Sequence, residues 1–190
     1  MFARTKRLTL RPGWPEDAAL LAEAIAHEAV ATRLARVPWP YTLDDAAAFL
    51  AVPRGAADAR FLIMAHDGAA PRLVGGIGLD AAADGIALLG YWLTPDAWGR
   101  GYATEAGRAV LDMARHALPL RRLEARHHLD NPASGRVLRK LGFREIRREP
   151  SFSLARGHHV DSAVLALDLP AGKDAGEDAD AATDRMPIAA

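Results

Sequence analysis

The chain contains no cysteine. That excludes a disulfide framework, a thiol nucleophile and a thiolate metal site together. It also lacks a charge excess. With 24 Lys and Arg against 24 Asp and Glu, no global field draws it to nucleic acid or an anionic membrane. No uninterrupted apolar run approaches the roughly 20 residues that span a bilayer. The basic start, Met1 to Arg7, has no apolar segment behind it of the kind a secretory signal carries. A Walker A loop is missing too, because no glycine run is followed by Gly-Lys-Ser/Thr. These absences leave a cytoplasmic, water-soluble protein as the expectation.

What is present is ordinary globular material. Half of the 190 residues are hydrophobic and a quarter charged, enough for one domain with a substantial core. Charge is local: residues 121–148 are rich in Arg, and residues 174–184 are mostly acidic and alanine. From Ala171 onward Ala, Gly, Asp and Glu dominate without periodicity, which predicts a disordered tail over 171–190 behind a domain of residues 4–170.

Leu8 to Arg11 alternates and stops at Pro12, a short strand. Trp14-Pro15-Glu16-Asp17 reads as a helix start, with apolar residues at helical spacing from Ala18 to about Val30. Thr42, with Asp45 three residues on, predicts a capping box opening a helix to about Val52. Three apolar segments follow as antiparallel strands: Phe61 to His66, Leu73 to Leu79 and Gly85 to Leu93. A helix is expected from Tyr102 to Ala117 and a strand from Arg122 to Leu129. Another helix runs from Pro132 to Leu141 with Gly142 as its stop, and two strands, Phe143 to Arg148 and Ser162 to Leu169, close the chain. The order β-α-α-β-β-β-α-β-α-β-β is a mixed α/β domain of seven strands and four helices.

The most telling segment is Leu89 to Glu105: a buried strand, a proline turn, a glycine-spaced loop and a helix start. Amides of such a loop, unshielded by side chains and at the positive end of a helix, suit a phosphate or pyrophosphate. A dinucleotide-binding turn fits poorly, because Thr104 stands where a third Gly or Ala is needed and five residues separate the strand from Gly99. A plain tight strand-to-helix connection is the alternative that this segment alone leaves open.

Three motifs in order carry a wider resemblance. They are Gly90-Tyr91-Trp92-Leu93 with Pro95 and Trp98-Gly99-Arg100-Gly101-Tyr102-Ala103-Thr104-Glu105-Ala106, then Leu123-Glu124-Ala125-Arg126 with Asp130-Asn131-Pro132-Ala133-Ser134, then Val137 to Phe143. Through them, Arg4 to about Leu169 resembles the GCN5-related N-acetyltransferase (GNAT) superfamily, and most closely its ribosomal-protein N-terminal acetyltransferase-like (RimJ/RimL-type) branch. The resemblance implies a single α/β domain with a twisted, mostly antiparallel sheet of about seven strands, about four flanking helices, and a splay between the fourth and fifth strands. It also implies acetyl-CoA as cosubstrate and direct transfer of acetyl to an amine, without a metal.

The family pattern Gln/Arg-x-x-Gly-x-Gly/Ala maps onto Trp98-x-x-Gly101-x-Ala103, with Trp98 departing at the first position. The resemblance assigns the CoA pyrophosphate to the loop from Trp98 through Gly99, Gly101, Tyr102, Ala103 and Thr104, with Arg100 adding charge beside a phosphate. Free backbone groups at Leu93 would pair with the pantetheine arm, and Asn131, both donor and acceptor, would hold its amides. Ser134 takes the place of the group that stabilises the departing thiolate. Relatives often carry Glu two residues before the glycine of Gly90-Tyr91-Trp92; here Leu88 stands there, so His128 is the candidate base. Trp39 and Tyr41 are read either as walls of an acceptor cleft or as a staple of the second helix to the sheet, and the Phe152–His159 hairpin loop as a further source of acceptor contacts. His158-His159 has no carboxylate or further His at metal spacing. The acceptor expected is a peptide or protein N-terminal α-amine, with a monomer or homodimer as the assembly. A small-molecule amine (an amino acid, polyamine or aminoglycoside) and a non-catalytic acyl-CoA-binding role are the competing readings.

Overall fold

The structure is a computed structural model and describes residues 1–53 and 59–169. The expected tail over 171–190 therefore lies outside the described residues. Eight strands form one sheet: β1 (Ala3–Arg4), β2 (Leu8–Arg11), β3 (Ala59–Ala65), β4 (Arg72–Ala81), β5 (Ile86–Leu93), β6 (Arg122–His128), β7 (Arg144–Ser153) and β8 (His158–Asp168). Five helices accompany them: α1 (Ala18–Ile25), α2 (Glu28–Ala31), α3 (Leu43–Ala51), α4 (Tyr102–Ala117) and α5 (Pro132–Lys140). The sheet order is β1-β2-β3-β4-β5-β6-β8-β7, and every neighbouring pair is antiparallel except β5 with β6. Parallel neighbours need a crossover, and α4 is that crossover.

Alternation along the strands builds two apolar layers. On β3, Phe61 and Ile63 join the larger core under α4 and α5, while Leu62 joins the smaller cluster with Leu21 of α1, Ala46 of α3 and Leu73. On α4, Tyr102, Ala106, Val110, Leu111 and Ala114 recur at helical spacing and are buried, which fixes its face on the sheet. Each fully buried Leu or Val in these layers contributes about 1.5–3 kcal/mol.

The sequence counts seven strands and four helices, and the structure has one more of each. Ala3–Arg4 pairs with Leu10 and Thr9, a two-residue strand too short to show a pattern. The helix expected to continue from Ala18 to Val30 breaks at Ala26 and His27 into α1 and α2, and no Pro or Gly announces the break. β7 runs on to Ser153, five residues past the expected Arg148, because it pairs with β8 throughout that stretch. The capping box at α3 is present: Thr42 Oγ1 accepts from Asp45 N–H at 3.2 Å, and the Asp45 carboxylate accepts from Thr42 N–H at 2.9 Å. Among the described residues no helix is long and apolar enough to cross a membrane.

The turn entering α1 is pinned by one ion pair. Arg11 donates twice to Asp17, both bonds 2.7 Å, and Asp17 also accepts from Trp14 N–H at 2.8 Å. The Arg11 hydrogen bond, outweighing burial, holds the Asp17 carboxyl below the ordinary carboxylate range. A depressed carboxyl stabilises the fold above the unfolded value of about 3.9, and that stabilisation disappears as pH falls through the lower folded value. Asp17→Asn is expected to cost about 2 kcal/mol at pH 7, with the gap to the parent chain narrowing as the pH falls below the unfolded value of about 3.9. Urea unfolding midpoints at pH 7 and below that value check this; an equal gap at both contradicts it.

Candidate functional site

β5 and β6 pair at four positions, from Ile86 opposite Arg122 to Leu89 opposite Ala125. Beyond that they separate, β5 continuing against β4 to Leu93 and β6 against β8 to His128. Thr94 N–H donates to the Val74 carbonyl at 2.9 Å, so antiparallel alternation turns the peptide groups of Leu93 and Tyr91 away from β4, into the gap. The Leu93 carbonyl, expected to be free, already accepts the Trp98 indole N–H at 2.9 Å and keeps its second lone pair. Trp98 is thus a brace on the strand end, and the Arg33 guanidinium lies 4.8 Å from its ring centroid.

The chain next makes a short 3₁₀ turn at Pro95–Ala97 and enters the glycine loop. Gly99 has φ 74° and Gly101 φ 80°, left-handed conformations that a Cβ would strain. No side chain caps the N-terminus of α4, so its first amides face the loop without a partner from their own helix. The loop is clamped from behind. Glu105 accepts from Thr5 Oγ1 (2.6 Å), Arg7 N–H (2.9 Å) and Arg7 Nε (2.8 Å), and Arg7 in turn donates to the Arg100 carbonyl at 3.0 Å. Burial opposes the Glu105 charge, but these donors together hold its carboxyl below the usual range.

The loop residues divide by side chain. The Arg100 guanidinium is half exposed, 3.8 Å from the Asp67 carboxylate. The Tyr102 side chain is wholly buried and donates to Asp67, so this residue offers the loop only its main-chain N–H. Ala103 is buried and Thr104 half-buried on the first turn.

At the far end of the gap, Asn131 caps α5, its Oδ1 accepting from Ser134 N–H at 3.2 Å. Its amide nitrogen has no partner among the described residues. Ser134 Oγ lies 2.7 Å from the Tyr91 hydroxyl, which also sits 3.2 Å from the Ser134 carbonyl. Burial pushes the Tyr91 phenol up to about 12, partly offset by Ser134, so it stays protonated at neutral pH. Tyr91 is a site residue that the sequence reading missed. It stands inside a quoted motif, but its partner is 43 residues away.

His128 sits elsewhere. Leu123 and Ala125 point to the α4–α5 core, so by alternation His127 faces α5 and His128 the opposite side of the sheet. His128 is 2% exposed, and its Nδ1 has no hydrogen-bond partner among the described residues. Burial first, then the Arg156 guanidinium, hold the ring below the usual histidine range, against the pull of Asp130 and the Thr32 backbone. Arg156 ties this corner together, donating to the Thr32 carbonyl at 2.7 Å and to Asp130 at 2.6 Å. The β7–β8 turn is anchored alongside, with Leu154 N–H donating to the Ala35 carbonyl and Ser153 Oγ to the Leu34 carbonyl.

On that same face as His128, a cavity of about 140 Å³ opens over β3–β5, walled by Phe49, Leu50 and Trp92 and floored by Gly76, Gly78 and Gly90. Trp39 and Tyr41 do not line it. Tyr41 packs on the cluster of Leu21, Ala46 and Leu62, the stapling role, and burial raises its phenol to about 12. Leu88 is exposed on this face directly opposite Asp80, whose carboxylate is held by Arg36 and by Arg60 at 2.8 Å. No group of three His, Asp or Glu residues suited to a metal occurs among the described residues.

Residues 7–144 match the family model described as an acetyltransferase (GNAT) domain. A probable N-acetyltransferase of Bacillus subtilis, YjcK, is 42% identical over 99 residues, which are 50% of this chain and 55% of that protein. The chain spans about half the length of the curated relatives it matches, 47% to 56% of each. A GNAT-family acetyltransferase of Bacillus anthracis superposes with a TM-score of 0.74 at 24% identity, over 88% of this chain and 98% of that one. A ribosomal L7/L12 α-N-protein acetyltransferase, RimL, solved with coenzyme A, gives 0.73 at 19% identity, over 89% and 98%. At these identities the structural likeness is one of fold.

The Tyr91–Ser134 pair predicts energetic coupling across the gap. A double-mutant cycle of Tyr91→Phe and Ser134→Ala, read by urea unfolding, should give about 1 kcal/mol. Strict additivity would mean that the two hydroxyls do not interact.

Proposed function

The chain belongs to the acetyltransferase (GNAT) family, and from that premise we propose that it moves the acetyl group of acetyl-CoA directly to a primary amine. The acceptor favoured is the α-amine of a peptide or protein N-terminus. The observation that carries the donor assignment is the pair of left-handed glycines at the uncapped N-terminus of a 16-residue helix, opening onto a gap edged by strand backbone. Oriented amides at a helix N-terminus bind phosphate oxygens by hydrogen bonding and by the helix dipole. Gly99, Gly101, Tyr102, Ala103 and Thr104 supply those amides to the pyrophosphate, with Trp98 fixing the loop and Arg100 adding charge. Peptide groups of Tyr91 and Leu93, with the Asn131 amide nitrogen, receive the pantetheine arm.

Acetyl-CoA supplies an activated thioester: the amine–carbon bond forms, the carbon–sulfur bond breaks, and no acyl-enzyme is needed. Ser134 donates a hydrogen bond to the sulfur as it takes up negative charge. Tyr91, protonated throughout, donates to Ser134 Oγ and leaves the serine proton pointing outward. His128, held below the usual histidine range and with its Nδ1 unpartnered, is the candidate base, on the face of the sheet opposite Ser134.

The absence of a carboxylate at Leu88 favours an acceptor of low pKa. At pH 7 an α-amine of pKa about 8 is roughly a tenth neutral, whereas a lysine-like amine of about 10.4 is neutral in less than one molecule in a thousand.

Acetyl-CoA should raise the thermal midpoint, and Asn131→Ala should weaken its binding about tenfold by calorimetry. Ser134→Ala should instead lower kcat about tenfold with KM for acetyl-CoA little changed. His128→Gln should remove the acid limb of the kcat/KM profile, which lies below the ordinary histidine value of about 6.5. Free-thiol detection across N-terminal peptides, amino acids, polyamines and aminoglycosides identifies the acceptor class. Saturating acetyl-CoA without binding heat or stabilisation would sink the proposal.

A further inference from the structure

The cavity over β3–β5 has no role in holding the donor, and its chemistry is specific. Its walls are Phe49, Leu50 and Trp92, and a glycine stands at three neighbouring floor positions, Gly78 directly opposite Gly90 and Gly76 opposite Trp92. The three floor glycines differ. A Cβ at Gly76 would come within 2.6 Å of the Trp92 indole, and one at Gly78 within 2.9 Å of the Ala59 carbonyl. A Cβ at Gly90 would meet nothing within 4 Å, and Gly90 does not have a left-handed φ. Gly90 is exposed and lies one residue beyond the last β5–β6 pair, so the cavity floor reaches the edge of the gap where transfer is proposed.

Resting on the acetyltransferase reading above, we infer that this cavity receives the side chain of the amine-bearing residue and selects a compact apolar one, of Leu, Met or Phe size. At about 140 Å³ it matches the scale of an apolar cavity of about 150 Å³ that takes up benzene. Asp80 is the one carboxylate among its lining residues, and both Arg36 and Arg60 already bond to it. A polyamine's second ammonium, or a lysine side chain, would find there a compensated anion, the two arginines that compensate it and otherwise apolar walls, so desolvation of the cation goes unanswered and like charge repels it. A glycine or alanine acceptor would leave the space unfilled.

The test uses amino-acid amides differing only in side chain (Gly, Ala, Leu, Met, Phe, Glu, Lys) and spermidine, with saturating acetyl-CoA. The expected order puts Leu, Met and Phe at least tenfold above Gly, Glu, Lys and spermidine in kcat/KM. Gly90→Val fills the cavity from its floor and should cut the Leu-to-Gly preference at least tenfold. Phe49→Ala widens it and should move the optimum toward Phe, which keeps the test decisive if the valine variant folds poorly. Calorimetric binding of the N-acetylated amides is read in parallel, and the same order and the same two shifts are expected there. This arm judges the cavity even without turnover, whereas loss of acetyl-CoA binding would strike the parent reading alone. A flat series, a preference for Lys or spermidine, or equal loss across all side chains in Gly90→Val would overturn the inference.

Discussion

Parallel pairing between β5 and β6 lasts from Ile86 to Leu89 and stops, while each strand keeps its other neighbour. The divergence exposes the peptide groups of Tyr91 and Leu93 to the gap between the two strands. A sheet interior does not ordinarily leave strand backbone unpaired. Here part of the need is met from within, by the Trp98 indole on the Leu93 carbonyl. The remainder is available to a ligand that carries its own amides. The glycine loop and the α5 cap both border this interruption, and its width is held by contacts from several elements.

Three contacts hold it. The clamp of Glu105 on Thr5 and Arg7 ties the first turn of α4 to the amino-terminal strands, and Arg7 reaches over to the Arg100 carbonyl. The hydroxyl pair of Tyr91 and Ser134 joins β5 to α5 across the gap. On the other face, the segment after α2 is roped to the β7–β8 turn through Arg156, and its Arg33 lies over Trp98. The Trp98 indole therefore touches both the end of β5 and the segment after α2. A change at Trp98 would reach both sides of the sheet.

Much of this was legible along the chain where the determinant is local. Gly99 and Gly101 flag left-handed backbone, Thr42 and Asp45 form a cap within one turn, and Pro132 after Asn131 marks a helix start, so loop, α3 and α5 fall where expected. The break between α1 and α2 has no local residue signature, since neither Pro nor Gly stands at Ala26 or His27. The two-residue β1 exists only through its pairing with β2, and β7 outruns its apolar pattern because β8 supplies partners. His128 fell on the correct strand, but one step of alternation put its ring on the face away from Ser134.

By itself, the sequence determined the order of the longer elements, the glycine loop at the head of α4 and the cap of α5, since each rests on spacings within a few residues. Tertiary structure alone decided that Tyr91 meets Ser134, that Trp98 closes onto Leu93, and that Gly76, Gly78 and Gly90 floor one cavity. The reason is physical. Hydrogen bonds between groups tens of residues apart, and empty volume above a sheet, depend on register between strands, and register is a property of the assembled sheet.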